Sequence, residues 1–203
     1  MRLTRAQSKE ANKRALLDAA REIVGREGSR ARLEDITELA GLTTGAVYSL
    51  FGGKDGLMVA MVDDYTGPLD LRPIQTADPG LSLEEVVAEI ARQFWRMADT
   101  PEAVGQLLFE VRVLDLVLND PALLVKLNAA IRSTENALAR LFTGRSSGGA
   151  AVTHDQAVRL ARALKATLSG LGQSVILGVS GSSEQYFVNV AHALITPGVL
   201  GPA

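Results

Sequence analysis

The 203-residue sequence predicts an all-α protein of about nine helices. Three observations favour this class. Apolar residues recur at spacings of three and four, as at Leu16, Ala20, Ile23 and Val24. Helix-start signals precede most of these segments, and no segment shows strand signals. Since 47% of the residues are hydrophobic but only 4% are aromatic, the core should consist mainly of leucine, valine and alanine.

The composition excludes several classes of protein. The chain has no cysteine, so disulfides and thiolate metal sites are excluded, and a reducing cytoplasm is compatible. The chain opens with polar and basic residues, and no apolar run approaches the roughly 18 residues of a membrane span. We therefore expect a cytoplasmic protein without cofactors.

The net charge of −2 hides an asymmetry. Residues 1–32 contain nine Lys and Arg against four acidic residues, whereas residues 66–203 contain eleven against thirteen. A basic end on an otherwise slightly acidic protein favours binding of a polyanion there. A solvated basic helix without a partner is the alternative.

The first residues predict a mobile basic arm and a long helix. The arm should run from Arg2 to about Lys9, and the helix from near Gln7 to Glu27. Gly28 should end the helix. The apolar face of this helix should pack on the two helices that follow.

Residues 33–40 predict a short second helix whose apolar face consists of Leu33, Ile36, Leu39 and Ala40. Gly41 should form the turn after it, because a residue without Cβ enters the left-handed conformation cheaply.

The third helix should have two different sides. Thr43 stands at its N-cap. At 100° per residue, one arc holds small polar groups and a tyrosine, at Thr44, Gly45, Tyr48 and Ser49, and the opposite arc holds Ala46, Val47 and Leu50. Two short helices joined by a glycine turn, the second with a polar outer face, are typical of a helix-turn-helix that enters the DNA major groove. A helical hairpin with a purely structural role is the alternative.

The chain after this motif predicts a linking helix, a connection and a set of longer helices. Gly52 and Gly53 should end the third helix, and a fourth should begin near Lys54 with Leu57, Ala60, Met61 and Tyr65 on one side. Residues 66–81 contain three prolines and two glycines and should form the inter-domain connection. Four later starts are predicted at Ser82 with Glu85, Thr100-Pro101, Asp120-Pro121 and Thr153 with Gln156. Residues 143–152 should form a flexible loop, Ser182 with Gln185 should cap the last helix, and Pro197-Gly198 should end it.

The last two long helices are apolar on almost every side, so both should be covered all round. In a chain this small the simplest cover is the same pair of helices from a second subunit, which predicts a two-fold homodimer. Such a dimer would read a pseudo-palindromic DNA sequence.

Residues 13–57 resemble the N-terminal domain of the tetracycline-repressor (TetR) family of bacterial transcription regulators. The matching residues are Ala19-Ala20, Gly28, Asp35-Ile36, Ala40-Gly41-Leu42-Thr43, Gly45, Tyr48, Phe51, Lys54 and Leu57. The sequence departs from the family pattern at Ser29, Arg32, Thr37, Leu50 and Gly53.

The resemblance implies a three-helix DNA-binding helix-turn-helix domain over residues 1–53, a linking helix and connection over 54–81, and a ligand-binding and dimerisation domain over 82–203. It implies a homodimeric repressor on a double-stranded DNA operator, associated with the nucleoid and released by a small, mostly apolar ligand; activation instead of repression stays open. The implied DNA-binding residues are Arg32, Thr43, Thr44, Gly45, Tyr48, Ser49 and Lys54. Lys54, at a helix N-terminus, should meet a phosphate. The implied ligand-lining residues are Phe94, Met97, Leu108, Phe109, Arg112, Ile131, Thr134, Leu138, Thr167 and Leu171.

Arg112 is a cation inside an apolar run and therefore needs a partner. Two interpretations stay open: an internal salt bridge, for which helical spacing favours Asp115, and an anchor for an acidic ligand.

Two other classes of function remain as alternatives. An enzyme is disfavoured because the two histidines, His154 and His192, are far apart in sequence, and no metal-binding or G-x-S-x-G spacing is present. A helical adaptor that has lost sequence-specific DNA binding is the second alternative.

Overall fold

A computed structural model of the chain describes residues 4–65, 80–179 and 181–201, apart from the side chains of Asp63 and Tyr65. Within these residues the α-helices are α1 (Arg5–Glu27), α2 (Leu33–Leu39), α3 (Thr44–Phe51), α4 (Lys54–Tyr65), α5 (Leu83–Ala98), α6 (Ala103–Leu118), α7 (Pro121–Phe142), α8 (His154–Ile176), α9 (Glu184–Ala193) and α10 (Pro197–Leu200). A 3-10 turn (Gly28–Arg30) follows α1, and a hairpin of two-residue strands, β1 (Ser146–Ser147) and β2 (Ala150–Ala151), follows α7. The predicted all-α class is confirmed.

The chain divides into two compact units. Met1–Gly67 and Gly105–Ala130 form the first, and Pro68–Val104 and Ile131–Ala203 form the second. The functional boundaries at residues 53 and 81 stay a prediction, because a compact unit does not by itself define a function. Most of the predicted connection, residues 66–79, lies outside the described residues.

Helix α1 begins earlier than predicted, which contradicts the expected mobile arm. Thr4 and Gln7 form a capping box: the Gln7 amide donates to Thr4 Oγ1 over 3.2 Å, and the Thr4 amide donates to Gln7 Oε1 over 2.9 Å. Residues 5–9 are therefore helical, and Arg2 lies outside the described residues. Gly28 ends the helix as predicted, with a φ of 59° and its amide donating to the Val24 carbonyl.

The core of the first unit lies between α1 and the three short helices after it. Its fully buried members include Leu16, Ala20 and Val24 of α1, Ile36 of α2, Val47 of α3, and Leu57 and Met61 of α4. These are the apolar positions that helical spacing selects, so the packing of α1 on the helix-turn-helix is confirmed.

In the second unit α5 is the central helix, and α8 and α9 both pack on it. Its core includes Val86, Val87 and Ile90 of α5, Leu138 and Phe142 of α7, Leu160, Leu164 and Leu168 of α8, and Phe187 of α9. The predicted helix starts at Ser82, Asp120 and Thr153 are confirmed, because each side-chain oxygen accepts from first-turn amides.

Two predicted helix starts in this region are wrong. The helix α6 begins only at Ala103, three residues after Thr100, so Thr100 is not its N-cap; Thr100 Oγ1 instead donates to the Met97 carbonyl over 3.3 Å. The N-cap of α9 is Ser183, whose Oγ accepts from the Tyr186 amide over 3.2 Å, and not Ser182.

Two further expectations in the second unit are corrected: the flexible loop at residues 143–152 and the end of the last helix at Pro197. Residues 143–152 contain the β1–β2 hairpin, because Gly148 and Gly149 both adopt the positive φ that a tight hairpin turn requires. Pro197 begins the one-turn helix α10 instead of ending α9, since proline suits a first helical position.

Helices α8 and α9 each have a buried and an exposed face. The exposed face of α8 carries Arg162, Ala166, Gly170 and Gln173, and that of α9 carries Gln185, Tyr186, Asn189 and Ala193. The expectation that both helices are apolar on almost every side is therefore too strong, because small and polar side chains form the outward faces. Among the described helices, none is long and apolar enough to cross a membrane.

Candidate nucleic-acid interface

Helix α3 presents the predicted polar face. Val47 is fully buried and anchors the helix, and Ala46 and Leu50 are half-buried beside it. Thr44, Gly45, Tyr48 and Ser49 are all exposed, and Tyr48 has 63% of its surface accessible. A short helix held by its apolar side thus offers one tyrosine and several small groups to a partner.

The turn before α3 is fixed by local hydrogen bonds. Gly41 adopts the predicted left-handed conformation with a φ of 65°, and the Leu42 amide donates to the Thr37 carbonyl over 2.9 Å. Thr43 Oγ1 accepts from the Ala46 amide over 3.3 Å, which confirms it as the N-cap. Its hydroxyl hydrogen is still available to an acceptor such as a phosphate oxygen.

Thr37 shows how the fold tolerates one departure from the family pattern. Its side chain is 5% exposed, and Oγ1 donates to the Glu34 carbonyl over 3.0 Å. The buried hydroxyl is therefore satisfied within α2 and needs no partner outside it.

Lys54 begins α4 as predicted, but its ammonium already has one protein partner. Nζ donates to the carbonyl of Ala31 over 2.6 Å, which ties the start of α4 to the segment before α2. An ammonium has three N–H groups, so this bond leaves two donors for an anion and holds the lysine in position.

Arg32 is held loosely. It precedes α2 without forming a side-chain cap, and its Nε lies 3.8 Å from a Glu34 oxygen with both side chains largely exposed. An exposed pair of this length contributes little to stability, so the guanidinium can turn toward another anion.

Four polar residues of α1 that the site prediction did not include lie beside α3. Arg5, Ser8, Lys9 and Asn12 line one side of an open groove of about 710 Å³. Ala46, Ser49 and Leu50 of α3 line the other side. The spacing of the α1 residues, at i, i+3, i+4 and i+7, is a signal that the sequence contains; the expected mobile arm obscured it.

Several of the basic residues of α1 are paired within the first unit. Arg14 and Arg21 form ion pairs with Asp18 and with Asp64 of α4. Arg26 pairs with Glu22. The positive charge that faces α3 therefore comes mainly from Arg5 and Lys9.

The predicted ligand-lining residues are distributed over both units. Leu108, Phe109 and Arg112 belong to the first unit and the other seven to the second. In the first unit Leu108 is 49% exposed and Phe109 is buried. In the second, Leu138 is fully buried in the core, and the half-buried positions are Phe94, Met97, Ile131, Thr134, Thr167 and Leu171.

Arg112 lies at the end of α1. A Cβ added to Gly28, which ends α1, would lie 3.2 Å from Arg112 Cδ and 3.3 Å from Asp115 Oδ2. The two side chains therefore pack against Gly28. Among the described residues no ion pair joins Arg112 to Asp115, so the expected salt bridge is absent, and the buried Arg112 Nε has no hydrogen-bond partner.

The residues that the structure describes contain no group of three or more His, Cys, Asp or Glu that could hold a metal ion. His192 Nε2 lies 3.0 Å from the Glu84 carbonyl oxygen, and His154 begins α8 at the surface.

The comparisons with known proteins agree with this geometry. The family model of bacterial regulatory proteins of the tetR family matches residues 16–61, a segment that contains all seven predicted DNA-binding residues. No curated protein matches the chain.

Solved structures share the fold over nearly the whole chain. A TetR-family member from Streptomyces coelicolor A3 is 23% identical, with 91% of this chain and 98% of that chain covered and a TM-score of 0.66. A TetR-like transcriptional regulator from Rhodococcus sp. RHA1 is 19% identical, with 99% and 100% covered and a TM-score of 0.61. The multidrug binding protein EbrR, complexed with proflavin, is 23% identical, with 91% and 99% covered and a TM-score of 0.59. Residues 16–61 therefore match the tetR family of bacterial regulatory proteins, and the chain as a whole shares its fold with solved TetR-family regulators.

Proposed function

We propose that this protein is a homodimeric transcriptional repressor that binds a pseudo-palindromic DNA operator and leaves it when a small molecule binds. The observation that supports this most directly is the exposed face of α3, where Thr44, Gly45, Tyr48 and Ser49 project from a helix anchored by buried Val47. A helix of this size fits the major groove, where each base pair shows a distinct pattern of donors and acceptors.

The residues of the helix-turn-helix divide into two roles. Thr44, Gly45 and Ser49 are small enough to let the backbone approach base edges, so they carry sequence preference. The hydroxyls of Thr43 and Tyr48 bind phosphates and fix the register. Lys54 and Arg32 also bind phosphates, so they contribute affinity that falls with salt.

The groove between α1 and α3 extends this contact. Arg5 and Lys9 supply two positive charges on the α1 side, and Ser8, Asn12 and Ser49 supply neutral hydrogen-bond donors. The sugar-phosphate backbone at the edge of a major groove that held α3 would meet these groups. We assign them to the phosphate backbone, which carries no sequence information directly.

The homodimer is assigned to the exposed faces of α8 and α9. Ala166 and Gly170 are small residues four apart on the outward face of α8, and Tyr186 is 49% exposed on α9. Small residues allow helices to approach closely, and an aromatic side chain adds contact area. Sedimentation of the purified protein at micromolar concentration tests this assignment, since a monomer there contradicts it.

The releasing ligand is assigned to the second unit. EbrR, which has the same fold, is complexed with proflavin in one structure and with malachite green in another. The half-buried side chains Phe94, Met97, Ile131, Thr134, Thr167 and Leu171 are the candidates for an apolar ligand. A ligand that prefers one spacing of the two recognition helices would shift the protein away from its DNA-bound state.

Selection of bound duplexes from a random-sequence pool tests the DNA-binding proposal. An enriched inverted repeat, bound with an affinity that falls steeply with salt, is the expected result. No enrichment at low salt by a folded dimer would contradict it and favour a helical adaptor.

Two substitutions on the exposed face of α3 test the division of roles. Thr44→Ala should change preference at particular base pairs, whereas Tyr48→Phe should weaken binding to all duplexes alike. If both variants behave identically on selected and random duplexes, the assigned roles are wrong.

A further inference from the structure

The last turn of α4 is tied to α1 by an ion cluster that the helix-turn-helix does not explain. Asp64 Oδ2 lies 2.6 Å from Arg21 Nη2 and 3.4 Å from Arg14 Nη1. Asp18 completes the cluster, with its Oδ1 3.0 Å from Arg14 Nη2 and 3.8 Å from Arg21 Nη1. Two guanidinium groups of α1 thus share one carboxylate of α4.

This cluster differs from an ordinary surface ion pair. Arg26 and Glu22 are four residues apart on α1, with 3.3 Å between charged atoms, and both side chains are 58% exposed. By contrast Arg21 and Asp64 are 43 residues apart in sequence, and their side chains are only 28% and 34% exposed. Partial burial strengthens a charge-assisted hydrogen bond, because water competes less for the two groups.

The charge of Arg21 needs compensation by Asp64 more than their 2.6 Å separation alone indicates. Its Nε is buried and has no hydrogen-bond partner, so much of the guanidinium is already removed from water. Loss of the Asp64 charge would leave a partly buried cation less compensated, which costs more than loss of an exposed pair.

The ion cluster lies at the last turn of α4, beyond the part of the helix that apolar contacts hold. Apolar contacts of Leu57, Met58, Met61 and Val62 hold the body of α4 in the core. Asp64 lies beyond them, in the last turn, and the first unit gives way to the second after Gly67. The cluster therefore fixes the final described turn before the chain changes units.

We propose that Asp64 is a positioning residue that, through Arg21 and Arg14, holds the end of α4 on α1 and so sets the separation of the two recognition helices of the dimer. This inference rests on the proposed DNA-binding function. In a dimer joined through the second unit, the end of α4 leads to one of the places where the chain passes from the unit that carries α3 to the unit that joins the subunits, so a loosely held last turn would let α3 move. A firmly held turn makes the protein selective for one distance between half-sites.

The first experiment is hydrogen exchange of the α4 amides without DNA. Asp64→Asn removes the charge with little change of shape, and Glu22→Gln removes an ion pair of α1 that does not reach α4. We expect Asp64→Asn to speed exchange in the last turn of α4 roughly tenfold, and Glu22→Gln to leave it unchanged. Arg14→Gln, which removes the more exposed of the two arginines, should give a smaller acceleration and serves if Asp64→Asn does not fold.

The second experiment measures affinity for the selected operator and for the same operator with its half-site spacing changed by one base pair. Wild-type protein and Glu22→Gln should discriminate between these duplexes, and Asp64→Asn should discriminate roughly tenfold less while binding a single half-site as wild type does. Unchanged exchange in folded Asp64→Asn or Arg14→Gln would overturn the inference. So would faster exchange with an unchanged spacing preference. If the wild-type protein enriches no duplex, the proposed function and the role in spacing fail together, while the exchange data still decide whether Asp64 holds α4.

Discussion

Gly56 gives the sharpest test of how α3 and α4 are joined. It is the third residue of α4, and a Cβ added there would lie 1.8 Å from the carbonyl oxygen of Phe51 and 2.9 Å from its carbonyl carbon. Phe51 is the last residue of α3, so the obstacle is the backbone of α3 and not a flexible side chain. Gly56→Ala therefore requires α3 and α4 to separate.

The expected magnitude follows from two opposing terms. Alanine is favoured over glycine inside a helix by about 1 kcal/mol. Overpacking of a close contact costs about 1–3 kcal/mol, and this contact needs a shift of more than about 1 Å to reach van der Waals separation, which favours the upper limit. We expect Gly56→Ala to lower the free energy of unfolding by about 2 kcal/mol and to weaken DNA binding, because the end of α3 must move.

Gly105→Ala is the matched control. Gly105 is also the third residue of a helix, α6, but a Cβ there meets no atom within 4 Å. The same substitution should therefore raise the free energy of unfolding by about 0.5–1 kcal/mol. Urea unfolding followed by far-UV circular dichroism measures both variants, and a Gly56→Ala protein as stable as Gly105→Ala would refute the steric reasoning.

Three further substitutions test separate parts of the structure. Lys54→Met removes the hydrogen bond from Nζ to the Ala31 carbonyl. It should lower the free energy of unfolding in urea by about 1.5–3 kcal/mol. It should also lower the slope of log affinity for DNA against log salt concentration by about one, equally for all duplexes. Phe187→Ala empties a fully buried position in the second unit and should lower the free energy of unfolding by about 3–5 kcal/mol. Unfolding can be followed by the fluorescence of Trp95, the chain's single tryptophan. A loss below about 1 kcal/mol would contradict the place of Phe187 in the core. Ser183→Ala should cost about 1 kcal/mol in thermal or urea unfolding and Ser183→Gly only a few tenths, as expected for an N-cap; equal costs would indicate another role.

The features that the sequence predicts well are those that nearby residues determine. The capping boxes at Ser82 and Thr153 each join residues three apart, so the hydrogen bonds in the structure are implied by the local sequence. The two faces of α3 follow in the same way, because the burial of Val47 and the exposure of Tyr48 obey helical spacing.

The start of α9 shows where local signals are insufficient. Ser182 and Ser183 are both suitable N-caps by residue type, and the sequence alone does not decide between them. In the structure the carbonyl of Ser182 accepts from Trp95 Nε1 over 3.1 Å, an interaction across 87 residues. This contact holds Ser182 outside the helix, so Ser183 becomes the cap.

The α1 arm was wrongly predicted for a different reason. A polar, basic terminus is typical of a mobile segment, but the Thr4–Gln7 capping box is also present in those residues. The box begins the helix early enough to place Arg5 and Lys9 one turn apart on the face that meets α3. The resulting groove therefore depends on a helix start that composition alone does not reveal.

The basic residues of the first unit are a second case in which the fold adds what the sequence does not show. Counting residues gives a strongly basic segment over residues 1–32, but the partner of Arg14 and Arg21 lies in α4, beyond the helix-turn-helix. An arginine held by Asp64 stabilises the packing of α4 and adds little to the electrostatic field outside the unit, because the two charges nearly cancel at a distance. The basic residues of α1 thus have two roles: Arg5 and Lys9 in its first two turns face α3, and Arg14 and Arg21 in its middle hold the end of α4. The sequence shows that the positive charge is present. Only the fold distinguishes Arg5 and Lys9, which line an open groove, from Arg14 and Arg21, which pair with Asp64 inside the unit.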